Sequence, residues 1–134
     1  MKKFTFKTKT FVDLPRKTKK DKRIHLNLNT YRNLHHTENN NVKKLYKQIM
    51  MEQIKECPKF DKPVKVEFKL IKSSRRRTDK SNFFSVISKF LYDALVEEGK
   101  LVDDNDDFIL TETLLPTEYE KSDYNIAIIT FIEV

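Results

Sequence analysis

Between positions 75 and 107 the sequence gathers the side-chain types that phosphodiester chemistry needs. Arg75, Arg76 and Arg77 are consecutive cations suited to phosphate oxygens. Asp79 follows at once, Lys89 sits inside an apolar run and reads as a buried cation, and Asp103, Asp104, Asp106 and Asp107 crowd four carboxylates into one loop. Such crowding is costly without a counter-ion, and hard carboxylate oxygens suit a divalent ion such as Mg2+ or Mn2+. The spacing lacks the central glycine and terminal glutamate of an EF-hand, so calcium sensing is not expected.

These residues must be held by a helix. Phe83, Val86, Ile87, Phe90, Leu91, Ala94 and Leu95 recur at helical spacing and form a stripe broad enough to be buried on more than one side. Asp79 or Ser81 can cap its start, and Gly99, the only glycine, fits a left-handed terminator. The helix is therefore expected over about 82–98. At about 100° per residue, Asn82, Lys89 and Asp93 share a narrow polar line with Ser85 nearby, and Lys89 and Asp93 have the spacing of an i,i+4 ion pair.

The flanking elements follow from periodicity. Phe4, Phe6, Thr8, Thr10 and Val12 alternate as a first strand, and Val64, Val66, Phe68 and Leu70 as a second. Val42, Leu45, Ile49 and Met50 mark a first helix, capped by the Asn39-Asn40-Asn41 run and reaching about Glu56. Ile24 to Leu28 reads as a short irregular extended segment. Phe108 to Leu115 and Tyr124 to Val134 read as two last strands joined through Pro116 and a charged turn at 118–123, the final one apolar enough on both faces to lie inside a sheet. The order β, α, β, α, β, β implies a single α+β domain over 1–134, with a mixed sheet of about four strands and two main helices.

Lysine and arginine outnumber the acids 27 to 20, for a net charge of +7, which favours a polyanionic partner. Residues 13–23 concentrate Arg16, Lys17, Lys19, Lys20, Lys22 and Arg23 without periodicity, and read as a mobile basic loop able to track phosphates together with Arg75, Arg76 and Arg77. A single cysteine points to a reducing compartment, and the absence of a long apolar run disfavours secretion or a membrane span, so a cytoplasmic site is expected. His25, His35 and His36 lack a further close ligand set, so zinc is not expected. No Gly-x-Ser-x-Gly motif is present, and one glycine is too few for the usual phosphate-cradling loops.

The stretch resembles the RusA-type Holliday-junction resolvases of phages and prophages. That family's pattern is a set of basic residues, Asp-x-Asp-Asn, a helical lysine, Asp-Ala-Leu four residues on, a glycine and an Asp-Asp pair. Here stand Arg75-Arg76-Arg77, Asp79-Lys80-Ser81-Asn82, Lys89, Asp93-Ala94-Leu95, Gly99 and Asp103-Asp104. Ser81 occupies the place of the second carboxylate, and six residues rather than two separate Asn82 from Lys89. The four extra residues amount to slightly more than one helical turn. The resemblance implies a homodimer that recognises four-way or otherwise branched DNA and incises it with Mg2+ or Mn2+. It implies Asp79, Asp103 and Asp104 as metal ligands, Lys89 as a catalytic cation beside them, and Asn82, Asp93 and Asp107 as supporting residues. With Ser81 in place, Asp103, Asp106 or Asp107 supplies the missing ligand, or metal binding is weaker, or junctions are bound without being cut. The rival reading is a basic DNA- or RNA-binding protein whose acidic loop is an interaction surface; a third is a small regulator acting through protein contacts.

Overall fold

The computed structural model describes residues 2–134. The chain runs β1 (Lys3–Lys9), β2 (Phe11–Leu14), β3 (Lys22–His25), α1 (Leu28–Asn33), α2 (His36–Glu56), β4 (Val64–Lys72), α3 (Lys80–Glu97), β5 (Ile109–Leu114), β6 (Glu118–Tyr119) and β7 (Ile126–Glu133). A five-stranded mixed sheet has the order β1-β7-β4-β5, with β6 also paired to β4. β7 is antiparallel to both β1 and β4, whereas β4 and β5 are parallel. The class is α+β, as the periodicities imply. The sheet gains one short strand over expectation, and a separate two-stranded hairpin and a third, short helix are added.

The additions have local causes. The alternating run from Phe4 to Val12 does not stay in one sheet. β7 starts at Ile126, opposite Lys9, so β1 loses its partner there, and the Thr10 carbonyl accepts from Leu26 N–H instead. The chain then pairs with β3, placing Phe11 opposite His25 and Asp13 opposite Arg23. The basic loop thus shrinks to residues 15–21 and becomes a hairpin turn. Asn27 Oδ1 accepts from Thr30 N–H at 2.9 Å and starts α1 within the segment expected to be irregular. α2 begins earlier than expected because the His35 ring, not an asparagine of 39–41, accepts from Thr37 N–H. Asn39 instead donates to the Tyr31 carbonyl and ties α1 to α2.

One apolar cluster joins the inner face of the sheet to both long helices. Phe6, Val64, Val66, Phe68, Leu70, Ile129 and Phe131 from the strands meet Val42, Tyr46, Met50 and Ile54 of α2 and Ile87, Leu91 and Leu95 of α3, all buried. Tyr46 donates to Thr8 Oγ1 at 3.0 Å, and that hydroxyl donates to the Lys9 carbonyl, so the one buried polar chain between α2 and β1 is satisfied. The Gln53 amide bonds both backbone groups of Lys7 and blocks the outer edge of β1. Among the described residues no helix covers the opposite sheet face. Ile126, Ile128 and Ile132 lie half-buried there between Lys3, Lys7 and Lys9 on one side and Lys65 and Lys69 on the other. Long lysine stems can shield such a stripe while keeping their charges in water.

α3 ends as its sequence requires. Gly99 has φ +71°, and the Lys100 and Leu101 amides return to the Leu95 carbonyl. A Cβ at Gly99 would meet nothing within 4 Å, so the need for glycine there is conformational and not steric. Gly99→Ala should therefore destabilise the fold by ~1–2 kcal/mol, the cost of a left-handed non-glycine residue. Urea denaturation should show a lower midpoint with an unchanged slope; an unaltered midpoint would refute the cap assignment.

Candidate nucleic-acid interface

The polar loop between β4 and α3 leaves the sheet at Lys72 and presents Arg75, Arg76 and Arg77 to solvent. Among the described residues none of the three is in an ion pair. Arg75 lies over the Tyr119 ring at 4.5 Å, which braces its stem against β6. Lys80 Nζ donates to the Leu115 carbonyl at 2.8 Å and anchors the far end of the loop to the exit of β5. These arginines are thus exposed, uncompensated charge on a loop fixed at both ends.

The basic hairpin reaches the same region. Arg23 and Arg76 line one cavity of about 270 Å³, with the hairpin as one wall and the arginine loop as another. Arg23 pairs with Asp13 at 2.9 Å, so its charge is partly compensated. At the turn, Arg16 Nε donates to the Lys20 carbonyl and closes the loop, while Lys17, Lys19 and Lys20 stay exposed and, among the described residues, without carboxylate partners.

Asp79 caps α3. Its Oδ1 accepts from the Ser81 hydroxyl at 2.7 Å and from Ser81 N–H at 3.1 Å. These hydrogen bonds hold its carboxyl below the usual aspartate range. Ser81 is therefore a donor that fixes Asp79. A shallow open cleft beside it is lined by Arg77, Thr78, Lys80 and Thr117.

The other proposed site residues lie elsewhere. Lys89, expected to be buried, is exposed. The polar line on α3 is its solvent-facing seam, running Ser81, Ser85, Lys89. Asn82 is half-buried, one residue off that seam. Lys89 does not pair with Asp93: Lys43 of α2 reaches Asp93 at 2.7 Å, and Lys89 Nζ lies 5.7 Å from the centre of the Tyr31 ring. The acidic loop is self-bonded, with Asp103 accepting from Asp104 N–H and from Asn105 Nδ2, and Asn105 accepting from Asp107 N–H. Asp106 and Asp107 are exposed. Asp104 is exposed as well, and partial desolvation, followed by the hydrogen bond to Asp103 and the charges of Asp93 and Asp103, pushes its carboxyl up.

Asp79 and the acidic loop belong to opposite ends of α3. Asp104 is close enough to Asp93 and Tyr92 to act on both electrostatically, and Asp93 is fourteen residues, or ~21 Å, along the axis from Asp79. One chain therefore does not bring Asp79 to Asp103 and Asp104. Among the described residues no three His, Cys, Asp or Glu side chains are grouped to hold a metal ion. His35 caps α2 and its ring lies tilted against that of His36 at 4.3 Å, while His25 packs edge-on to Phe11. Cys57 is buried, and burial pushes its thiol up to about 11, which leaves no thiolate nucleophile at neutral pH.

The residues that sequence reasoning did not single out are Phe11, Tyr124 and Asn125 around the Arg23–Arg76 cavity. Their only signal was an aromatic or amide residue next to a strand end, which is common. No helix among the described residues is long and apolar enough to cross a membrane. A scan against protein-family models and a search of curated proteins return no match for the chain.

Asp79, whose carboxyl is lowered, and Asp104, whose carboxyl is raised, have opposite linkage signs. A raised carboxyl disfavours its charged form in the fold, so the cost is present at neutral pH and vanishes as pH falls below the ordinary aspartate value. Asp104→Asn should therefore be more stable than wild type at pH 7, the gain fading below about pH 4. Ser81→Ala should raise the Asp79 carboxyl toward its ordinary value. Carboxyl NMR titration of both aspartates, with thermal melts across pH, checks these directions; equal titration of the two would refute them.

Proposed function

We propose that this protein binds branched DNA and, as a homodimer, cuts its phosphodiester backbone in the manner of the junction resolvases it resembles. The observation that carries the binding half is the fixed loop of three uncompensated arginines beside a basic hairpin. Phosphate contacts of this kind give affinity without sequence information and release condensed counter-ions. If Arg16, Lys17, Lys19, Lys20, Arg75, Arg76 and Arg77 all engage phosphates, log affinity falls with log salt with a slope of about −6.

The cutting half depends on pairing. Asp79 lies near the arginines, and Asp103 and Asp104 lie near the far end of α3, so in a two-fold pair the two groups can act on one phosphate when the α3 helices run in opposite directions. The arginine-rich end of one copy then faces the acidic end of the other, an electrostatically favourable approach. A two-fold dimer also matches the approximate two-fold symmetry of a four-way junction. Within such a pair Asp79, Asp103 and Asp104 supply hard oxygen donors, and a requirement for Mg2+ or Mn2+ is a property of the dimer and not of the single chain. Lys89, exposed on α3 between the two ends, adds positive charge next to a bound phosphate.

The test is a synthetic four-way junction incubated with wild type, Asp79→Asn and Asp104→Asn, in Mg2+, in Mn2+ and in EDTA. Each variant alone should nick at least about a hundredfold more slowly. Mixed, the two variants form heterodimers with one site doubly altered and one intact, so nicking of one strand per junction should return. Junctions that are shifted but never nicked in either metal would leave only the binding protein.

A further inference from the structure

We propose that the cavity between the β2–β3 hairpin, the loop 73–78 and the start of β7 receives a single unpaired nucleotide, with its base against Tyr124 and His25 and its phosphate on Arg76. This rests on the DNA-binding reading and says which part of the branch point is recognised.

The cavity is built of stacking surfaces and donors. Phe11 is buried and serves as the support: Tyr124 meets it edge-on at 5.6 Å, His25 at 6.2 Å, and the Arg23 guanidinium lies over it at 3.9 Å. Asp13 holds that guanidinium through two hydrogen bonds, so Arg23 is a fixed planar surface more than a free phosphate grip. Tyr124 is half-buried and His25 exposed, which leaves their rings accessible. Aromatic rings and guanidinium planes are the surfaces on which unstacked bases lie.

Asn125 supplies orientation. Its Oδ1 accepts from both Ser73 N–H and Ser73 Oγ, at 2.9 and 3.0 Å, which fixes the amide. Its Nδ2 donates to no group of the described chain and remains available for a base carbonyl or ring nitrogen. Asp123, also at the rim, repels a phosphate from its side, so the phosphate is steered to the unpaired Arg76 across the opening.

Size excludes a base pair. At about 270 Å³ the cavity lies just below the usual range for small-ligand pockets and admits one base. Entry requires unstacking, which costs least where a base is already unpaired, so the cavity favours branch points over continuous duplex. Thr78 lines both this cavity and the cleft at Asp79, so a nucleotide held here sets the neighbouring backbone beside the capped carboxylate.

The experiment uses four-way junctions carrying 2-aminopurine either at the branch point or within an arm, titrated with wild type, Tyr124→Ala and His25→Ala. Melting curves check that each variant is folded, and His25→Ala, an exposed position, carries the test if Tyr124→Ala is not. Wild type should change the fluorescence of the branch-point probe alone. The variants should lose that change and bind about fivefold or more weakly, with the salt slope unaltered because no phosphate contact is removed. Arg76→Ala should instead reduce the slope by about one. Tight junction binding with a silent branch-point probe, or folded variants with wild-type signal and affinity, would overturn the pocket while leaving DNA binding intact. No binding to any junction or duplex would overturn both.

Discussion

The parallel pairing of β4 with β5 fixes most of what this molecule can do. Two parallel neighbours cannot be joined by a tight turn, so the chain must cross back over the sheet, and α3 is that crossover. Its apolar stripe covers the inner sheet face, with Ile87, Leu91 and Leu95 fully buried. Its eighteen residues, ~27 Å, then separate whatever precedes the helix from whatever follows it. The arginine loop and Asp79 necessarily lie at the carboxyl end of β4, and the acidic loop at the amino end of β5. A site that uses both must be assembled from more than one copy.

The second organising feature is the change of partner at Thr10. β1 belongs to the main sheet, β2 to the hairpin, and a single buried threonine between them redirects the chain. Without that change the basic turn at 15–21 would extend along the sheet edge. With it, the hairpin arms place Phe11, Arg23 and His25 against the arginine loop and the start of β7. The contacts that hold this corner are aromatic edges and cation–ring stacking, including Lys9 over Tyr124 at 4.7 Å. They fix direction by packing, which suits a surface that must stay charged and wet.

Where local chemistry decided the outcome, the sequence was readable. Alternation in 64–70 and at the C-terminus, the wide stripe of 83–95 and the lone glycine were enough for the α+β class and the bounds of α3, because burial on one sheet face and a left-handed turn leave marks in residue type. Contacts between distant segments leave none. Nothing in the spacing of Lys89 and Asp93 says that Lys43, fifty positions earlier, will take the carboxylate. The Phe4–Val12 alternation is broken only by Phe11, an apolar residue at an odd position, and the position where β7 begins explains why the strand splits there. The acidic loop was legible as a crowded cluster, and the Asp104 carboxyl is raised there by desolvation first and by its acidic neighbours second. Its distance from Asp79 was not, because sequence spacing alone does not give the direction in which a loop leaves a helix.

The charges at the two ends of α3 are arranged against the helix itself. Helix N-termini carry partial positive charge and C-termini partial negative charge, so stability favours acids at the start and bases at the end. Here the arginines crowd the start, and Glu97, Glu98, Asp103 and Asp104 crowd the finish, where the last turn has no basic residue. Asp79 as the cap and Lys47 of α2, which pairs with Glu97 and Glu98 at 2.9 and 3.1 Å, offset only part of this. An arrangement that lowers the stability of the isolated chain while sharpening its polarity is the kind of local conflict found at functional surfaces. In the proposed complex the cationic end would attract the DNA, the acidic end would repel it, and an opposed second copy would neutralise the repulsion. The same polarity that strains the single chain would favour the proposed antiparallel pair, in which the cationic start of one helix faces the acidic finish of the other.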